Sequence, residues 1–362
     1  MRTRMKHTPL IIALFLLCLA NSARAQQRQC DASLLSQKGD SCMSIHDTFH
    51  AMQFYLAGVN ADTTNVDARR KLAACYRKTG NHQACITNLD RIPADSIGHD
   101  DMRMYYYSYL SIDSNDKAAY WGEQITKHYP YDSDIVASLA SLYNTTNKPE
   151  RAEQTTKAYI TQCDSTNMYV NKEYAYSLYL QLKYDEAIPL YKKLIAQGAD
   201  NYTSNFILGM CYDGNYDTAN AQKYLEKAVE KNGNSSYCLY RLAMAEEGLV
   251  MDSLALEHFN RSLETAIPAS RQLIIYTKLA SLHFVHKRYA QAARAFQLVI
   301  AHDPTDKPLN YYNAAQMFLA ADDITKADMY LKIFIDKADK PDADESTKKL
   351  LETARKQLNK KK

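Results

Sequence analysis

Small and large apolar residues return along this chain at helical spacing, and a longer period is laid over that spacing. The fullest copy of the pattern reads Leu139 and Ala140, then Tyr143, Asn147 and Ala152. The same frame gives Leu72, Ala73, Tyr76, Gly80 and Cys85. It recurs as Leu208, Gly209, Tyr212 and Ala221, and as Leu242, Ala243 and Ala255. The second small residue, twelve positions after the first, falls at Cys85, Ala118, Ala152, Ala187, Ala221, Ala255, Ala292 and Ala327, in steps of 33 to 37 residues. Such a period predicts pairs of antiparallel helices stacked one on the next.

The pattern has a packing reason. Alanine or glycine on the first helix and alanine on the second let two backbones approach, while Tyr76, Tyr143 or Tyr212 fills the space beside them. Apolar residues then follow at helical spacing, as in Ala187, Tyr191, Leu194 and Ile195. Pro130 and Pro304 close two units, each twelve residues past its alanine. A unit of about 34 residues resembles the tetratricopeptide repeat. The resemblance implies an all-α, right-handed α-solenoid of about eight tandem helix-turn-helix units, here over residues 66–340.

Individual copies depart from the frame. The second carries Tyr106 where a small residue is expected and Gly122 where a large one would pack, which predicts a loosened or re-angled helix pair. Pro189 sits early in a second helix and predicts a local kink. The 37-residue step predicts a longer loop over 267–271, with Pro268 in it. Ahead of the first copy, residues 26–65 read as a cap region: 45–57 has helical spacing and 30–35 supplies a partner helix. Behind the last copy, 341–362 form a capping segment. In it Leu350, Leu351, Ala354 and Leu358 share one face of a helix over 347–358, and Lys360–Lys362 make a fraying basic tail.

Residues 1–25 change the compartment. Arg2, Arg4 and Lys6 precede an apolar run over 10–20 too short to span a bilayer, and Ala23, Arg24 and Ala25 supply a cleavage pattern. The expected product is a protein of the bacterial periplasm or cell envelope that starts at Gln26, with no membrane span. Leu17 before Cys18 argues against a lipid anchor. Losing Arg2, Arg4, Lys6 and Arg24 takes Lys+Arg from 44 to 40 against 41 Asp+Glu, so the formal charge goes from +3 to −1. That balance argues against nucleic acid as the partner. Seven cysteines remain without Cys18, and Cys30 with Cys42 is the pair nominated for a disulfide.

Catalytic patterns are missing: there is no Gly-rich phosphate loop, no Gly-x-Ser-x-Gly, no Cys-x-x-Cys and no His-Glu-x-x-His. Neither catalysis nor a cofactor is expected. Cys42, His46 and His50, four apart on a predicted helix with Asp47 beside them, could offer sulfur and two imidazoles to zinc or copper. No fourth ligand accompanies them, so no metal site is assigned. His283, three before His286, falls at a position that tyrosine or phenylalanine fills elsewhere and reads as a packed histidine.

By the resemblance, the first helices line the concave face. Toward the N-terminus that face offers Arg70, Arg77 and Arg103 with Asp67. Farther along it turns aromatic and soft: Tyr169, Tyr176, Tyr179, Phe206, Met210, Tyr237, Tyr240 and Met244. Tyrosine and methionine suit a protein or peptide partner held in the groove. Tyrosine is also the usual filler of these repeats, so packing between helices competes with binding at each position. The family's carboxylate clamp is absent, since only Lys172 fits it and Tyr176 stands where asparagine is needed. The function expected is a non-catalytic scaffold or adaptor. A carbohydrate-binding module for glycan uptake is the alternative, because tyrosines also stack on sugars.

Overall fold

The computed structural model describes residues 26, 27, 29–265 and 268–359. The proposed leader with Cys18, Ile267 of the expected loop and the tail Lys360–Lys362 lie outside the described residues. The chain divides into two compact units, Met1–Gln181 and Leu182–Lys362. Unit one holds α1 (29–44), α2 (Thr48–Ala61), α3 (Val66–Lys78), α4 (His82–Leu89), a short 3-10 turn (Ala94–Ser96), α5 (His99–Ser111), α6 (Asn115–His128), α7 (Ser133–Thr145), α8 (Pro149–Gln162) and α9 (Met168–Leu180). Unit two holds α10 (Tyr184–Ala196), α11 (Tyr202–Gly214), α12 (Thr218–Lys231), α13 (Ser236–Gly248), α14 (Asp252–Leu263), α15 (Ala269–Val285), α16 (Tyr289–His302), α17 (Pro308–Ala320), α18 (Ile324–Ala338) and α19 (Glu345–Asn359). The fold is an all-helical α-solenoid of repeats. Among the described residues no helix is long and apolar enough to cross a membrane.

Helix starts follow from the loops' polar residues. Side chains of Asn65, Asn81, Asp132, Asn167, Asn201, Asp217 and Asp323 each accept a backbone N–H of the first turn of the helix they precede. The small residues of the frame do what their size suggests: Ala73, Cys85, Ala140, Ala152, Ala243, Ala255, Ala280 and Ala292 are fully buried. Four positions past the second small residue, Tyr55, Leu89, Tyr191, Leu225, Phe259, Phe296 and Leu331 fill the core. The terminal helix α19 buries Leu351 and Ala354 against the last pair, as its apolar stripe predicts.

The turn inside each pair carries a residue with left-handed backbone, at His46, Gly80, Asp113, Asn147, Leu182, Tyr216, Val250, Lys287 and Asp322. Only Gly80, at φ 80°, adopts that conformation without steric cost, and a Cβ there would meet nothing within 4 Å. Replacing Gly80 with alanine should therefore cost about 1 kcal/mol through backbone strain alone. Urea titration checks this, and no packing change should accompany it.

Several expectations are corrected by packing. The pair α5/α6 is not loosened. Tyr106 is fully buried and Gly122 makes its room: a Cβ at Gly122 would lie 3.0 Å from Tyr106 Cε2 and 2.9 Å from Leu139 Cδ1. Large and small have exchanged helices. The extra residues of the 37-residue step enter helix rather than loop: α15 has 17 residues where α13 has 13, and Pro268 stands at its N-cap.

At the N-terminus, α1 and α2 form a helix pair in the same frame. A Cβ on Gly39 would fall 2.5 Å from Tyr55 Cε1, and Ala51 is fully buried. Because α1 runs unbroken over 29–44, Cys30 and Cys42 stand twelve residues apart on one helix, roughly 18 Å. A disulfide needs Cα atoms within about 7 Å, so the nominated pair cannot form, and both thiols are free. The same helix end separates the suggested metal ligands. Cys42 lies in α1, His46 sits in the turn at φ 60°, and His50 follows in α2, where its Nδ1 lies 2.7 Å from Asp47 Oδ2. Among the described residues no group of three or more His, Cys, Asp or Glu could hold a metal ion. His283 is half-buried on α15, and burial first, with Arg288 and His286 nearby, holds its pKa below the ordinary histidine value.

Candidate partner-binding site

In unit one, two of the three arginines assigned to the groove are spent on holding neighbouring repeats together. Arg70 Nε donates to both carboxylate oxygens of Asp101, at 3.0 and 2.8 Å, and its Nη2 donates to the Ser96 carbonyl. Asp101 is 1% exposed and also accepts the Gly98 N–H at 2.9 Å. Arg103 Nη1 reaches Asp132 Oδ1 at 2.6 Å and Oδ2 at 2.5 Å, and His99 Nε2 lies 2.7 Å from the same carboxylate. Arg77 differs. It is exposed, beside an open cleft of about 370 Å³ lined by Met43, Tyr55, Lys71, Cys75 and Lys78. Asp67 pairs with Lys71 at 2.9 Å, one turn away on α3.

Burial alone would raise the Asp132 carboxyl. Hydrogen bonds from Arg103, the Ile135 N–H and His99 outweigh it and hold the group below the usual carboxylate range. A carboxyl depressed in the folded state contributes stability that is present above its unfolded value of about 3.9 and lost as pH falls through the folded value. Unit one should accordingly weaken on acidification below about pH 4, and Asp132→Asn should flatten that acid limb in a pH series of urea midpoints.

On α9, Tyr169 is 70% exposed, while Tyr176 and Tyr179 are half-buried and stack on each other at 6.0 Å and 19°. These rings cover the first-helix face at the end of unit one. Asn167 starts the helix by accepting the N–H groups of Tyr169 and Val170.

Unit two sorts its predicted residues into two groups. Tyr240 leans on Phe259 at 6.1 Å, and Tyr240 and Met244 pack against one buried cluster while Met210 packs against another. Packing is the observed role of Tyr240, Met244 and Met210, and Tyr202 and Phe206 also pack with one side against the cluster that Met210 joins. Phe206 and Tyr237 belong to a ladder of rings across the first turns of α11, α13 and α15. Tyr202 stacks on Phe206 at 5.7 Å and 7°, and Phe206 meets Tyr237 edge-on at 5.8 Å. The Arg271 guanidinium lies 4.6 Å from the Tyr237 ring centre. The Tyr202 hydroxyl is 2.8 Å from Ser235 Oγ, which ties the ladder to the start of α13.

Tyr202 and Arg271 are additions to the sequence-derived set. Tyr202 stands one helical turn before Phe206, a spacing that could have found it. Arg271 lies in the added first turn of α15, which brings its guanidinium over Tyr237. It makes no ion pair among the described residues, so its half-buried guanidinium keeps donors for a partner beside a cation-π contact worth about 0.5–1 kcal/mol. Stacked rings ending in a free guanidinium can hold an extended segment through ring faces and a carboxylate or carbonyl through N–H donors.

A family model described as a tetratricopeptide repeat matches residues 175–236, which span the end of α9, all of α10, α11 and α12, and the first residue of α13. Among solved structures, a tetratricopeptide repeat protein from Parabacteroides merdae is 13% identical, with a TM-score of 0.47 over 66% of this chain and 94% of that one. Pseudomonas aeruginosa pilF is 21% identical, with a TM-score of 0.47 over 62% of this chain and 100% of that one. MamA from Desulfovibrio magneticus is 16% identical, with a TM-score of 0.43 over 46% and 93%. No curated protein matches the sequence. The fold is generally a non-catalytic scaffold for protein interaction, and the unit matched by the model repeats with one register from Gly39 to Ala327. By that match residues 175–236 are similar to the tetratricopeptide repeat, and the same register of small residues recurs from Gly39 to Ala327.

Proposed function

We propose that this protein is a scaffold or adaptor of the bacterial cell envelope that holds a protein segment on the ladder of Tyr202, Phe206, Tyr237 and Arg271. The observation that carries the reading is the Arg271 guanidinium over the Tyr237 ring, without an ion pair among the described residues. A helix lengthened by one turn puts a cation where the fold alone needs none. Rings with few torsions to freeze supply contact area, and the guanidinium selects an acceptor on the partner. The envelope location rests on the basic, apolar and cleavable pattern of residues 1–25.

The experiment is affinity capture from an envelope extract with the wild-type chain and a Phe206→Ala, Tyr237→Ala, Arg271→Ala variant. The reading expects one protein retained by the wild type and lost by the variant. Equal retention by both, or retention of glycan in place of protein, would remove it. Mass spectrometry of the purified chain should find Gln26 first.

A further inference from the structure

Three successive turns of unit two hold large side chains in a backbone conformation that disfavours them. Leu182, Tyr216 and Val250 have φ of 60, 60 and 61°. The corresponding residues of unit one are His46, Gly80, Asp113 and Asn147, types that enter the left-handed region most readily. Val250 is β-branched and is the most strained of the set. None of the three is repaid by burial in this chain, since they are 68, 94 and 80% exposed.

The turns are drawn together into one edge. Gly214, the last residue of α11, faces the Tyr184 ring so closely that a Cβ would lie 2.7 Å from its Cδ2. Gly248, the last residue of α13, would set a Cβ 3.3 Å from Thr218 Cγ2. Asn215 Nδ2 donates to Asp185 Oδ1 at 2.6 Å, linking the first two turns directly. Between the apolar side chains the edge is acidic. Arg241 and Lys278 pair with Asp213 and Glu247, and His286 Nε2 lies 3.1 Å from Asp252 Oδ2, while Asp185, Glu186 and Asp217 have no cationic partner among the described residues. Strain kept at exposed apolar positions indicates use of the side chains, because asparagine or glycine would turn the chain more easily.

We propose that the edge of Leu182, Tyr216 and Val250 docks a protein segment that presents apolar side chains flanked by lysine or arginine. The apolar studs give contact area, and the unpaired carboxylates choose the flanks. This surface lies on the turns between helices, apart from the ladder on the first turns of α11, α13 and α15, and it prefers the opposite charge.

The test uses the full chain on an array of synthetic peptides of about fifteen residues. One set carries leucine and phenylalanine flanked by lysine, a second the same apolar residues flanked by glutamate, and a third lysine and serine only. The wild type should retain the first set about tenfold better than the third, and a Phe206→Ala, Tyr237→Ala, Arg271→Ala variant should retain the first set about tenfold better than either of the others. A Leu182→Asn, Tyr216→Asn, Val250→Asn variant should lose that preference while its Tm rises, because asparagine accepts the left-handed turn. Phe206→Ala with Tyr237→Ala should keep the preference, which separates failure here from failure of the ladder. The proposal is overturned if the asparagine variant binds like the wild type, or if its loss of binding comes with a lower Tm. It is equally overturned if glutamate-flanked peptides bind as well to the chain whose ladder is removed, if no peptide set is retained, or if the edge instead drives self-association or phosphatidylcholine vesicle binding.

Discussion

Replacing Tyr106 with alanine is expected to lower the stability of unit one by about 3–5 kcal/mol, and adding Gly122→Phe to that variant is expected to restore most of the loss. Tyr106 is fully buried, donates to Ser138 Oγ at 2.8 Å, and fills space that other units fill from the second helix. Alone, Gly122→Phe drives a ring into Tyr106 and Leu139 and should also destabilise, by about 1–3 kcal/mol. Together the two changes rebuild the arrangement seen at Ala243 with Phe259 and at Ala280 with Phe296. The single tryptophan, Trp121, stacks on Tyr105 at 4.2 Å and 1° beside this site, so its fluorescence during urea unfolding reports unit one. Additive losses would show that the exchange of large for small is not a coupled feature.

Arg70→Ala is the second large effect expected, also about 3–5 kcal/mol, because it leaves the buried Asp101 carboxylate without its cation. Asp101→Asn should cost less, since it removes the buried charge and leaves Arg70, whose side chain is 36% exposed, able to reach water. The order of the two variants is therefore diagnostic. A groove residue waiting for a partner would give the reverse result: a small stability change on losing Arg70 and a loss of binding. Trp121 fluorescence again reads the stability of this unit.

The order of helices was legible because small residues return in register, and side-chain volume at those positions leaves the backbone few ways to pack. The first pair was harder to see. Gly39 and Ala51 stand 34 residues before Ala73 and Cys85, but Cys42 takes the place of the tyrosine that marks other units. Spacing between cysteines says nothing of the helix between them, which is how Cys30 and Cys42 came to be paired on paper. The arginines lie on first helices, and their partners come from the following repeat, 31 residues on for Arg70 and 29 for Arg103. Of the aromatic and methionine positions, Phe206 and Tyr237 meet in the ladder, with Phe206 also against a buried cluster, while Tyr240 and Met244 pack on another, a distinction that needs the tilt of each helix. Arg271 was hidden because three extra residues were read as loop when they form a helical turn.

The most direct test of the binding account is hydrogen–deuterium exchange on the full chain, alone and with the captured protein. Slowed exchange at the first turns of α11, α13 and α15, lost with the Phe206→Ala, Tyr237→Ala, Arg271→Ala variant, is the result predicted. Protection confined to other helices, with those turns unchanged, would contradict it.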